Sequence, residues 1–126
     1  MRDKMKTYTV EVLDDGTRRW SLNGELHRED GPAVEYDNGT KCWYLNGVLH
    51  REDGPAIEYL TGTLAWYLNG NLHREDGPAI EYSYGDREWY LNDEKFTEQE
   101  FLAKTVKTVI IDGIKYRAIK CGCEFE

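Results

Sequence analysis

The chain has 126 residues, 40% apolar and 13% aromatic, and its 16 lysines and arginines against 24 carboxylates give a net charge of -8. Such a composition supports one domain with a core, while a mean hydropathy of -0.74 leaves no run of about 18 apolar residues for a membrane span. The acidity is concentrated in residues 11–103, with 8 basic against 20 acidic side chains, a surface that repels phosphate backbones and anionic headgroups and suits a basic protein partner.

The first segment, residues 1–19, is expected to be a capping strand and turn. Its charged start, Met1 to Lys6, lacks the apolar stretch of a secretory signal, so a cytoplasmic location is expected. Asp14-Asp15-Gly16-Thr17 anticipates the later Asp37-Asn38-Gly39-Thr40, but Val10, Glu11 and Val12 fall one step out of phase with Ala33, Val34 and Glu35.

Residues 20–96 are periodic. Trp20, Trp43, Trp66 and Trp89 stand 23 residues apart, and His-Arg-Glu-Asp-Gly-Pro-Ala follows the first three unchanged, which predicts three full repeats and a partial fourth. Asn23-Gly24, Asn46-Gly47 and Asn69-Gly70 predict type I′ hairpins, and Gly39, Gly62 and Gly85 mark a second turn in each unit. Between the turns, Trp66 and Leu68 alternate with Tyr67, the period of a half-buried strand. One hairpin cannot bury its own apolar face, so the fold class is mainly β, a short solenoid of stacked hairpins. Trp20, Trp43, Trp66 and Trp89 with Leu22, Leu45 and Leu68 are the expected structural spine.

Residues 97–126 leave the pattern. Thr97 and Glu100 make a capping box for a helix over about 97–105. Residues 108–119 alternate about Asp112-Gly113 as a hairpin, expected to cover the open end of the stack. Cys121-Gly122-Cys123 and the odd total of three cysteines make a poor disulfide framework and an incomplete zinc site, so free thiols are expected.

The unit Tyr-Leu-Asn-Gly-x-Leu-His-Arg-Glu-Asp-Gly-Pro-Ala-x-Glu-Tyr-x-x-Gly resembles a divergent MORN repeat. It departs where Arg-Glu-Asp separates His27, His50 and His73 from the next glycine, and in this it is similar to small proteins of tailed bacteriophages. The resemblance covers residues 12–103. It implies a docking surface and, through the phage proteins, a host cytoplasm.

His27-Arg28-Glu29-Asp30 and its copies carry groups able to bind metal or move protons. Presence in every unit favours a structural role, with Arg paired to carboxylate and Asp to backbone. A partner-facing row of Arg28, Arg51 and Arg74 is the competing reading. Tyr36, Tyr59, Tyr82, Tyr44, Tyr67 and Tyr90 are assigned to packing, with an aromatic platform for a nucleotide as the alternative. Turn positions that differ between units, Asp37, Leu60, Thr61 and Tyr84, are binding candidates because packing does not fix them. No phosphate loop, zincin helix or nucleophile elbow is present. No metal, cofactor or catalytic residue is assigned. The expected function is a non-enzymatic protein-binding module, a phage-encoded inhibitor of a host enzyme or defence complex. The alternatives are a sequestering protein for a nucleotide or other anion and a DNA-mimic inhibitor.

Overall fold

Two kinds of turn divide the chain into short antiparallel strands, and the dihedrals show why each turn has its residues. Asn23, Asn46 and Asn69 have φ of 51–52° and the glycine after each has φ of 83–87°, the paired left-handed conformations of a type I′ turn. In the computed structural model, which describes residues 6–105 and 107–118, the chain is mainly β, with 16 strands and one short helix near the C-terminus. Ten strands form one antiparallel sheet.

Most strands of that sheet have only two residues, and each full unit contributes two. Val34–Glu35 pairs with Lys41–Cys42, which pairs with Ile57–Glu58, then Leu64–Ala65, then Ile80–Glu81, then Arg87–Leu91. The Asn-Gly hairpins Tyr44–Leu45 with Val48–Leu49, and Tyr67–Leu68 with Asn71–Leu72, branch off one end of these strands as two-stranded sheets. Successive hairpins are joined by backbone bonds, Gly47 N–H to Leu26 O and Gly70 N–H to Leu49 O, both 2.8 Å.

The register sorts residues into two rows. Arg19, Val34, Cys42, Ile57, Ala65, Ile80 and Glu88 are successive cross-strand partners, and Val34, Cys42, Ile57 and Ala65 form the buried core. Leu26, Tyr44, Leu49, Tyr67 and Leu72 pack against it. On the other side of the pleat run Arg18, Glu35, Lys41, Glu58, Leu64, Glu81 and Arg87, an alternation of charge broken only by Leu64. Ala33, Ala56 and Ala79, each 0% exposed, join the rows to the turns. The carbonyl of each accepts the N–H of the Trp thirteen residues earlier in the chain: Trp20 to Ala33, Trp43 to Ala56, and Trp66 to Ala79.

The core row corrects the expected spine. The four tryptophans and Leu22, Leu45 and Leu68 are half-buried and lie outside the core cluster. Among the described residues, the one ring-on-ring stack is Tyr82 on Tyr84, 5.2 Å between centroids. Alternation explains the difference: Cys42 and Tyr44 face the core, so Trp43 and Leu45 between and after them face away. The period separated the two sets correctly but does not say which set is buried.

Both ends of the core row are charged. Tyr8–Val12 pairs with Arg18–Leu22, and the phase shift places Glu11 opposite Arg19, where Arg19 Nη2 donates to Glu11 Oε1 at 2.7 Å. At the other end Glu88 lies 3.5 Å from Lys95 and accepts from the Tyr90 hydroxyl at 3.3 Å.

The helix Glu98–Thr105 packs on Arg87–Leu91 and Glu94–Phe96, with Phe101 buried. Its capping box forms in both directions: Glu100 N–H donates to Thr97 Oγ1 at 3.1 Å, and Thr97 N–H to Glu100 Oε1 at 2.9 Å. The hairpin Lys107–Ile111 with Ile114–Ala118 turns at Asp112-Gly113 as expected. It is a separate two-stranded sheet rather than a further pair of strands on the large one, and Ile110, Ile111 and Ile114 are exposed. The element packed over the last repeat strands is therefore the helix. Cys121 and Cys123 lie outside the described residues.

Candidate functional site

The repeated His-Arg-Glu-Asp-Gly-Pro-Ala phrase builds a polar turn whose every member has a task. Arg51 Nε donates to Asp53 at 3.1 Å, and its Nη1 donates to Pro55 O at 3.0 Å and to Glu58 at 3.1 Å. The guanidinium carbon lies 3.9 Å above the Trp43 ring, a cation-π contact. Gly54 leaves room for this placement: a Cβ there would stand 2.9 Å from that same carbon and displace the guanidinium. Arg28 with Asp30, Pro32, Glu35 and Trp20 repeats the arrangement, as does Arg74 with Asp76, Pro78, Glu81 and Trp66. Arg28, Arg51 and Arg74 are thus committed within their own units, which leaves little of them for an outside anion.

The histidines tie one unit to the next. His27 Nδ1 accepts the Asn46 N–H at 2.9 Å, His50 that of Asn69 at 2.9 Å, and His73 that of Asn92 at 3.0 Å. An Nδ1 that accepts must be unprotonated, so the ring proton sits on Nε2. There it faces Glu29, Glu52 or Glu75 at 3.0–3.2 Å. With both nitrogens engaged, each imidazole is a fixed linker rather than an available base or ligand. Among the described residues no group of three or more His, Cys, Asp or Glu side chains could hold a metal.

These turns and the outward tryptophans enclose two clefts. The first, about 720 Å³, has Trp43 and Leu45 as its apolar lining between residues 28–32 of one unit and residues 50–53 of the next. The second, about 600 Å³, has Trp66 and Leu68 between residues 51–55 and 73–76. Arg51, Glu52 and Asp53 line both, so the clefts are continuous neighbours along the direction in which units succeed one another. Each holds two arginines against four carboxylates. The arginines are inward and paired, whereas the Asp30 and Asp53 side chains are both 88% exposed. The lining of each cleft therefore carries two more carboxylates than arginines.

The turn candidates occupy the opposite end of the short strands. Thr40 Oγ1 accepts the Leu60 N–H and Thr63 Oγ1 the Ser83 N–H, both at 3.1 Å, as Thr17 Oγ1 accepts that of Asp37 at 3.2 Å. Asp37, Leu60 and Ser83 therefore form one row. Leu60 is 59% and Tyr84 72% exposed, and Thr61 is exposed. Asp37 instead folds over Gly16, where a Cβ would stand 2.9 Å from its carboxylate oxygen. Of the tyrosines, Tyr44 and Tyr67 pack on the core, and burial is the main cause raising both phenols above their ordinary range. Burial likewise pushes the Cys42 thiol up, which keeps it protonated and unreactive.

Sequence reasoning missed the clefts because they are made by residues of two units, with Trp43 and Leu45 assigned elsewhere. The constant eight-residue offset between each Trp and the following Arg was the available signal. No helix among the described residues is long and apolar enough to cross a membrane. No family model matches the chain, and no curated protein or solved structure is significantly similar to it.

Proposed function

We propose that the chain is a non-enzymatic protein-binding module, a short MORN-like solenoid that engages a basic partner along its acidic clefts. The observation that carries this reading is the recurrence of one cleft in successive units, with inward arginines and outward carboxylates. Carboxylates held in register attract and orient a cationic surface. The commitment of Arg28, Arg51 and Arg74 to their own turns disfavours the sequestering of a nucleotide or other anion. The resemblance to phage proteins supports a host enzyme or defence complex as the target, and inhibition by occupation of one of its basic surfaces as the mode.

The test is a comparison of the natural chain with a variant carrying Asp30→Asn, Asp53→Asn and Asp76→Asn. Asn Oδ1 can still accept from each Arg Nε, so the turn is kept while charge is removed. Both proteins are immobilised and challenged with a bacterial lysate, and retained proteins are eluted with rising salt. The natural chain should retain basic proteins that the variant loses, at an unchanged melting temperature. Retention of the same proteins by both would refute a role for the clefts.

A further inference from the structure

We infer that the cleft row recognises a basic polyproline II segment with a Lys or Arg at every third residue, one cationic side chain per repeat unit. The inference rests on the protein-binding reading and specifies its ligand. Three observations support it, and they concern spacing, lining and charge.

Each unit adds two strands to the large sheet, and neighbouring strands lie about 4.7–4.9 Å apart, so one unit advances about 9.4–9.8 Å. A polyproline II helix rises about 3.1 Å per residue with three residues per turn, or about 9.3 Å per turn. Over the two steps that link three units, the mismatch stays at about 1 Å or less. An extended β-strand covers a similar distance in three residues, but its side chains alternate with period two. Residues i and i+3 of a strand then point to opposite sides. Only the three-fold helix presents every third side chain to the same row.

The lining fits as well. Trp43 with Leu45 and Trp66 with Leu68 supply apolar patches between the carboxylate rungs, and Pro-rich helices dock on aromatic-lined grooves. The rungs are Glu29-Asp30, Glu52-Asp53 and Glu75-Asp76, and the middle one is shared by both clefts. Lysines at i, i+3 and i+6 would meet the three rungs while intervening prolines contact the parts of Trp43 and Trp66 that line the clefts beside their stacked arginines. Because a polyproline helix has no internal hydrogen bonds and is stiff before binding, little ordering opposes the complex.

Calorimetric titration with three synthetic peptides, each holding three lysines, tests the inference at near-physiological salt. The first is three Lys-Pro-Pro triplets; the second has the same composition with its lysines clustered at one end; the third is three Lys-Gly-Gly triplets. The first should bind about tenfold or more tighter than either control, with a change in tryptophan fluorescence, and Asp53→Asn should weaken it. Equal affinity for the clustered peptide would overturn the spacing argument, and equal affinity for the Gly peptide would overturn the conformation, while the acidic-surface reading stood in both cases. Binding of none of the three would remove the inference, while the protein-binding reading stands or falls on the lysate comparison with the Asp30→Asn, Asp53→Asn and Asp76→Asn variant.

Discussion

The two sides of the large sheet are built from the same short strands by different chemistry. On one, Val34, Cys42, Ile57 and Ala65 exclude water as a continuous row. On the other, Arg28, Arg51 and Arg74 reach across to Glu35, Glu58 and Glu81 and hold the turns that shape the clefts. Burial on the first side is non-directional, so small apolar residues of several kinds serve there. Hydrogen bonding and ring stacking on the second are directional, and the His-Arg-Glu-Asp-Gly-Pro-Ala phrase does not vary. Where identity is fixed between units, geometry is being specified; where only polarity is fixed, volume is.

The apolar side should dominate stability. Ile57→Ala removes a buried side chain from the middle of the row and is expected to cost about 2–5 kcal/mol, measured by denaturant unfolding. A loss below that of any change on the polar side would break the division between the two. Next comes Arg51→Leu, which keeps aliphatic bulk over Trp43 but leaves Asp53, Pro55 O and Glu58 without their donor. The expected cost is about 1–3 kcal/mol. The smallest effect is on pH dependence. Tyr44 and Tyr67, pushed up from 10.0, and Cys42, pushed up from 9.0, hold their protons more firmly in the folded chain. Their contribution is complete below pH 9 and declines as pH rises above 9–10. Thermal melts across alkaline pH should show that decline, reduced in Cys42→Ala.

The strands and both turn types were legible because Asn-Gly and the second glycine have few alternative uses. The capping box at Thr97 and Glu100 was legible for the same reason, since it is a local bond between fixed positions. Burial was not. Trp43 and Tyr44 are equally good strand formers on opposite faces, and nothing in their spacing says that the smaller Cys42 and the tyrosine share the inside. The clefts were invisible for a further reason: Asp53 and Trp66 meet only because one unit lies against the next, a relation between copies rather than within one. The turn row at Asp37, Leu60, Thr61 and Tyr84 was legible as exposed chain, yet Asp37 is drawn onto Gly16 by packing that no single unit displays.

The bond from Asn69 N–H to His50 Nδ1 spans 19 residues, and its counterparts span the same 19. Every such bond joins a unit to its immediate successor, so no unit's geometry depends on how many others precede it. A gene that lost the codons for residues 44–66 would place Tyr67 directly after Trp43 and restore the same phrase without a scar. His27 would then meet Asn69 as it now meets Asn46. Unequal recombination between copies can therefore lengthen or shorten the carboxylate ladder while leaving Glu11, Arg19 and the helix in charge of its two ends. The length of the ladder is a heritable variable here, adjusted in whole units without redesigning any of them.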